Sequence, residues 1–234
     1  AFTMQGLYCQ PLGAPGLDGD GHKMAFALGA ATDNISEILG VPGVTLPGAG
    51  AATYAFWTFL MTVPAILVNN QGMRFVDEYK FYDWKNTELL KQPDHYSFTV
   101  FDATTRDAYK SMIVMGFTED LEKEVADGTV LKAETVADLA AQMEVPVEKL
   151  EATIAKWNED SEAGVDTLWD RTSGFGKIET APFYAFKTFP TMFDNSGGLK
   201  INENAQVVNV WGEPIGRLYA AGQIAGGVIG EHYS

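Results

Sequence analysis

Residues 196–227 read SGGLKINENAQVVNVWGEPIGRLYAAGQIAGG, and their succession of alternation, turn and glycine decides the fold. Gln206 to Val210 alternates apolar and polar side chains, the period of a strand with one buried face. Trp211-Gly212-Glu213-Pro214 supplies a turn, and Leu218-Tyr219-Ala220-Ala221-Gly222 returns as a strand of small residues. Gly226 and Gly227, with Gly230 beyond them, make a loop without side chains that can come close to a ligand. Gly197-Gly198 is a second tight backbone site, and Phe183-Tyr184-Ala185-Phe186 upstream is strand-like.

Working outward, residues 1–18 are rich in Gly and Pro, and Gly19-Asp20-Gly21 opens a short helix whose apolar positions are Met24, Ala25 and Leu28 before Gly29 closes it. A glycine turn feeding a helix N-terminus presents unpaired N–H groups and partial positive charge, which suits a phosphate; Asp-Gly is equally an ordinary turn. Gly40 to Gly50, with Pro42 and Pro47, reads as a loop. Ala65-Ile66-Leu67-Val68 reads as a buried strand, and Asn69-Asn70-Gln71-Gly72 reverses it into Arg74-Phe75-Val76 as a hairpin.

Three or four helices are expected next. Asp102 or Thr104 caps one reaching about Met115, Thr118 caps another ending before Gly128, and Thr135 precedes the apolar set Val136, Leu139, Ala140, Met143. Pro146 suits a first helical turn, after which Val147, Leu150, Ile154 and Trp157 mark one face until Gly164. That stripe needs only a core to explain it. There is no internal repeat and no low-complexity linker.

Composition narrows the function classes. Hydrophobic residues are 46% and aromatics 12% of the 234, which describes a folded globular chain. A chain of this size buries about 70% of its unfolded surface. Sixteen Lys plus Arg against 31 Asp plus Glu give a net charge of -15, so nucleic acid and anionic membranes are repelled, and the acidity itself is explained by solvation. Cys9 is the single cysteine, so no internal disulfide forms, and it and the scattered His22, His95 and His232 lack metal-ligand spacing; no metal is expected. The apolar stretch 49–68 is broken by Thr, Tyr, Trp and Pro64 and reads as core or pocket wall, not a span. The start AFTMQGLYCQ has no initiator Met and no leader pattern, and reads as a beginning made by processing or truncation. Nothing in the sequence assigns a compartment.

Four blocks in this order, GDGHKMAFALGA (19–30), AILVNNQGMRFVDE (65–78), VPVEKLEATIAKWNE (145–159) and the 196–227 stretch, resemble the flavoprotein family of soluble fumarate reductases, urocanate reductase and 3-ketosteroid dehydrogenases. The resemblance implies an α+β chain: a partial α/β FAD-binding domain interrupted by an α+β capping domain, with substrate lying on the flavin between them. Residues 1–43 and 189–234 would belong to the FAD domain and 44–188 to the cap. The family's amino-terminal βαβ unit, whose GxGxxG turn receives the ADP pyrophosphate, is absent from this sequence; it would be a partner if supplied elsewhere.

By the same resemblance Gly19, Asp20 and Gly21 would lie near the dinucleotide, Gly222 and Gln223 near the ribityl chain, and Gly226 and Gly227 beside the isoalloxazine. Gln223 replaces the usual acidic residue, though its amide can still bond a hydroxyl. Asp194, Asn195, Gly197 and Gly198 would be substrate-binding. Where the fumarate reductases carry a proton-donating Arg after RFxxE and a carboxylate-clamping Arg after the final glycine loop, RFVDEYKFYD and GGVIGEHY place Tyr82 and Tyr233. Trp57-Thr58, the 40–42 stretch and Asp194-Asn195 likewise replace the Thr-Glu and His positions of a dicarboxylate site.

A dicarboxylate site needs fixed cations. Two tyrosines instead resemble the ketosteroid dehydrogenases, in which one phenol handles a proton and another bonds a substrate carbonyl. A phenol of pKa about 10 needs a nearby positive charge to act as a base. As a donor to an oxyanion it needs less. Each tyrosine could equally be packing, in a chain with nine Tyr and fourteen Phe. Arg74 and Glu78 are expected as an internal ion pair.

The reading is an FAD-dependent oxidoreductase moving a hydride between flavin and an activated carbon–carbon bond. Its substrate is a small molecule less anionic than fumarate, since Tyr54, Phe56, Trp57, Phe59 and Met61 crowd the approach, and an external electron donor or acceptor completes the cycle. The alternatives are a cap fragment that folds without binding FAD, and a dicarboxylate reductase.

Overall fold

The computed structural model describes residues 8–11, 16, 18–36, 38–44, 54–55, 62–110 and 117–227. In chain order the strands are β1 (Gln10–Pro11), β2 (Thr32–Asp33), β3 (Ile38–Val44), β4 (Tyr54–Ala55), β5 (Ile66–Asn69), β6 (Ser97–Asp102), β7 (Val130–Ala133), β8 (Phe183–Asn195), β9 (Gly198–Leu199), β10 (Gln206–Val208) and β11 (Pro214–Tyr219). The helices are α1 (Asp20–Ala27), α2 (Tyr82–Leu90), α3 (Ala103–Tyr109), α4 (Glu122–Ala126), α5 (Val136–Met143) and α6 (Val147–Ala163). Backbone contacts divide the chain into one unit of Ala1–Gly40 with Met192–Ser234 and another of Val41–Thr191. The sequence reading set its changeovers at 43/44 and 188/189.

The 41–191 unit is built on an antiparallel sheet. β6 lies between β5 and β8, with Ile66 opposite Val100 and Phe101 opposite Tyr184, and β7 adds to β8 with Val130 opposite Phe186. Successive strand side chains point to opposite faces, and here both faces are covered. Leu67, Phe101, Tyr184 and Phe186 join one core with Phe117 and Leu121, while Ile66, Val68, Phe98, Val100 and Ala185 join another with Leu139, Met143, Leu150, Ile154 and Trp157. Double coverage explains why Ile66–Asn69 is buried at every position and reads as an unbroken apolar run. Each large apolar side chain fully buried this way contributes about 1.5–3 kcal/mol.

The helix signals fare differently. Thr135 caps α5 as expected, accepting from the Asp138 N–H at 3.0 Å, and Asp102 caps α3, accepting from Thr105 N at 3.0 Å. α6 starts after Pro146 and ends at Gly164 with φ 67. Thr118 is not a cap: Leu121 takes that place in a left-handed conformation, and Thr118 instead gives its N–H and hydroxyl to the Glu124 carboxylate at 3.0 and 2.5 Å.

Two local expectations are corrected. The turn after β5 forms, with Asn69 N bonded to Met73 O at 2.9 Å, but no return strand follows, and Val68 and Arg74 share only an isolated bridge. The reason is Glu78, whose carboxylate accepts the Leu67 N–H at 2.9 Å where a second strand would have bonded. Residues 38–44 form β3 instead of entering a loop, with Val41 and Val44 buried; Thr191 Oγ1 donates to the Val41 carbonyl at 2.5 Å. Residues 45–50 lie outside the described residues.

The other unit is smaller. β2 pairs antiparallel with β9, Thr32 opposite Leu199 and Asp33 opposite Gly198, and β10 pairs with β11 in a two-stranded ribbon. Ala25, Leu199, Val207, Ala220 and Ala225 form its core. Of the apolar set read on α1, Ala25 alone is buried, while Met24 and Leu28, one turn apart on the same face, are 66% and 60% exposed. Among the described residues no helix is long and apolar enough to cross a membrane, and no cluster of His, Cys, Asp or Glu could hold a metal ion.

Candidate functional site

In the unit that joins both ends of the chain, the residues expected to hold the cofactor converge. Gly19 is the N-cap of α1 with φ 71 and no side-chain cap bond, so the first N–H groups of the helix have no acceptor within it. A Cβ on Gly21 would stand 2.5 Å from Ile224 Cδ1, so this end of the helix rests on the 3-10 turn Gly222–Ile224 that carries Gly222 and Gln223. Gly19 and Gly222, with φ 71 and 74, have nothing within 4 Å of where a Cβ would be. His22 adds a buried Nε2 with no hydrogen-bond partner. Uncapped helix donors, an orphaned ring nitrogen and two open left-handed glycines fit a phosphate-bearing cofactor.

The remaining glycines serve a different end. A Cβ on Gly198 would strike the backbone of Ile224 and Gly226, one on Gly226 the carbonyl of Asp33, and one on Gly197 the backbone of Asn34. These positions are bare because the chain packs against itself, with Gly226 N donating to Leu199 O at 2.9 Å. Gly227 is different: φ is 79, and a Cβ there would come 2.8 Å from Asp33 Oδ2, which places the Asp33 carboxylate beside the loop. The sequence reading passed over Asp33; its offset from the Gly-Gly pair across β2 and β9 is visible only once the strands are paired. Asp194 Oδ1 accepts the Asn195 N–H at 2.8 Å, and the Asn195 amide donates to the Gly197 carbonyl. Gly198→Ala is expected to destabilise the protein by at least about 1–3 kcal/mol through overpacking. Chemical denaturation should show that loss, whereas Gly216→Ala, with open space around it, should leave the midpoint unchanged.

In the 41–191 unit, Tyr82 is the first residue of α2 and is 8% exposed. Phe81 lies against it with ring centroids 4.8 Å apart. Tyr79, Phe81 and Trp84, neighbours of Tyr82 along the chain, are 39%, 41% and 49% exposed. One turn on, and so on the same helix face, Lys85 is fully buried with its ammonium donating to the Glu78 carbonyl at 3.0 Å. Burial pushes Lys85 down to about 7, against the pull of Glu78. Tyr82 thus starts the helix, at the end where the backbone dipole favours negative charge, and Lys85 follows one turn on. Lys85 was missed from the sequence, although its spacing of three from Tyr82 was readable.

Behind α2 lies a buried ion cluster. Glu78 accepts from Arg74 Nε at 3.0 Å, Arg74 Nη2 at 2.7 Å and Arg171 Nη1 at 3.1 Å. Arg74 also holds Asp166 at 2.8 Å. Both guanidinium groups stack on Trp157, at 4.7 and 4.9 Å from a ring centroid. Burial disfavours the Glu78 charge, but Arg74 and Arg171 outweigh it and hold the carboxyl below its ordinary value. The expected Arg74–Glu78 pair therefore exists, enlarged by Arg171 and Asp166, which lie too far along the chain for the sequence to link them. Tyr233, Phe56, Trp57, Phe59 and Met61 lie outside the described residues, as does the side chain of Tyr54.

The family model for the FAD binding domain matches residues 2–233. NADH:acrylate oxidoreductase of Vibrio harveyi is 34% identical over 92% of this chain and 21% of its own length. A probable fumarate reductase of Shewanella frigidimarina is 31% identical over 91% of this chain and 34% of its own. The crystal structure of a 3-ketosteroid Δ1-dehydrogenase from Sterolibacterium denitrificans superposes with a TM-score of 0.86 at 21% identity, covering 98% of this chain and 46% of that one, a likeness of fold. The chain thus spans between a fifth and a half of the length of these relatives. On the match along nearly its whole length, the chain belongs to the FAD binding domain family, whose cofactor is FAD.

Proposed function

We propose that the chain is the cap and two flanking portions of the FAD domain of an oxidoreductase that reduces or desaturates a carbon–carbon bond next to a carbonyl, in a substrate less anionic than a dicarboxylate. The observation that carries this reading is Tyr82: a buried phenol at a helix N-terminus, with the Lys85 amine one turn on, at the point where the resemblance to fumarate reductases calls for a proton-donating arginine.

Bound FAD would supply the hydride chemistry. The N–H groups at the start of α1 would hold its phosphates, with His22 Nε2 as a further partner, and Gly222 and Gln223 would accept the ribityl chain close to the backbone. In the reductive direction Tyr82 gives its phenolic proton to the carbon next to the one that receives the hydride, and in the oxidative direction the phenolate takes that proton back. Lys85 stabilises the phenolate between the two. Tyr233 would bond the substrate carbonyl as charge develops on its oxygen. The exposed rings of Tyr79, Phe81 and Trp84 favour an apolar substrate body over a second carboxylate.

The test is anaerobic. FAD-loaded protein is reduced with dithionite and mixed with either a cyclic enone or fumarate while the oxidised flavin band is followed. Reoxidation by the enone and not by fumarate supports the proposal; reoxidation by fumarate alone overturns it in favour of a dicarboxylate reductase. A chain that stays colourless after incubation with FAD would instead be a folded portion without a complete flavin site.

A further inference from the structure

The 41–191 unit carries a cavity of about 410 Å³ lined by Met73, Arg74, Lys149, Thr153, Trp157 and Trp169, with Ala152, Lys156 and Leu168 completing it. Its walls come from three segments fixed to one another. Along α6, positions 149, 152, 153, 156 and 157 fall on one helical face. Thr153 Oγ1 donates to the Gly72 carbonyl at 2.6 Å, which holds the turn bearing Met73. Asp166 accepts the N–H groups of Leu168 and Trp169 at 3.1 and 3.2 Å while paired with Arg74, which fixes the third wall.

Met73, Leu168 and Trp169 are 38%, 59% and 39% exposed, so three large apolar side chains leave surface in water at one place. The polar groups are unevenly satisfied. Glu78 and Asp166 are engaged by Arg74, and Lys156 is engaged by Glu159 at 3.3 Å and Asp160 at 2.9 Å. Lys149 makes no ion pair among the described residues. Arg74 is 8% exposed, and its Nη1 is buried without a hydrogen-bond partner. A buried guanidinium donor left unmade is costly unless something accepts from it.

We infer that this cavity binds a flat aromatic monocarboxylate, its ring beside Trp169, Met73 and Leu168 and its carboxylate toward the Lys149 ammonium. One ammonium without an ion pair among the described residues matches one carboxylate, and the volume falls in the range of small-molecule sites. The site belongs wholly to the 41–191 unit and needs neither flavin nor the Tyr82 chemistry.

The 234-residue chain is titrated calorimetrically with 1-naphthoate and with the neutral 1-naphthalenemethanol, alongside Lys149→Glu, Trp169→Ala and the control Lys23→Glu. All three residues are solvent-exposed, so the variants should keep the parent circular dichroism. Saturable naphthoate binding is expected, weakened about ten-fold or more by Lys149→Glu and by Trp169→Ala, unchanged by Lys23→Glu, with the alcohol at least about five-fold weaker. Absence of saturation, or equal affinity in both cavity variants, overturns the site. Equal affinity for the alcohol overturns the anionic ligand class.

Discussion

Replacing Glu78 by glutamine is expected to cost the protein about 3–5 kcal/mol of stability, the penalty for stranding buried charge when one partner is removed. Glu78 is fully buried and accepts four hydrogen bonds, three of them from Arg74 and Arg171 and one from the Leu67 backbone. The amide keeps the shape but loses the charge. Arg171 would then face backbone carbonyls of Val63, Ala65, Ser173 and Gly174, and Arg74 would keep only Asp166 as a charged partner among the described residues.

Urea denaturation of the parent and the variant checks the figure; a loss below about 1 kcal/mol would mean the pair roughly breaks even with its own desolvation. The pH dependence follows from the same cluster. Glu78 and Asp166 are both held below their ordinary values when folded. Each therefore contributes stability that is fully present above the ordinary carboxylate range, about 4, and is lost as the pH falls through the lower folded value. Acid unfolding of the parent should steepen below about pH 4, and in Glu78→Gln it should be shallower.

On the proposed function, Tyr82→Phe in FAD-loaded protein is expected to lower turnover by about 100-fold or more, the usual contribution of a positioned proton donor. The substitution keeps the ring that packs against Phe81 at 4.8 Å and removes only the phenolic oxygen. The flavin spectrum and the circular dichroism should stay close to the parent, which separates lost chemistry from lost fold. Steady-state kinetics with the substrate found by flavin reoxidation give the ratio, and unchanged turnover would reject the assigned role.

What the sequence made legible was local. Thr135, Pro146 and Gly164 mark helix ends because capping is settled within a few residues. The glycines proposed for the cofactor site were readable as an ordered set, but not the structural reason for each. Gly19 and Gly222 have open space, whereas Gly197, Gly198 and Gly226 are bare because backbone crosses backbone, a distinction that exists only after β2, β9 and the loop come together.

The hairpin after β5 failed for a related reason. Turn chemistry at Asn69–Gly72 is local, but whether a strand returns depends on competition for the Leu67 N–H, and Glu78 wins it. Arg171 enters the ion cluster from 93 residues away from Glu78, a pairing that no short-range pattern encodes. Lys85 could have been found, since a spacing of three after a candidate acid on a helix places a side chain on the same face.

The β10–β11 ribbon has a consequence for how the molecule behaves in the tube. Val210, Trp211 and Tyr219 are 69%, 81% and 62% exposed, and among the described residues β11 pairs with β10 alone, leaving one edge of amides and carbonyls unclaimed. Such an edge is a template for another extended chain. Mutual repulsion from a charge of -15 keeps copies apart in dilute buffer, but at about 0.1 M salt that repulsion reaches only about 10 Å. Ionic strength and concentration would therefore set how readily a stock solution self-associates.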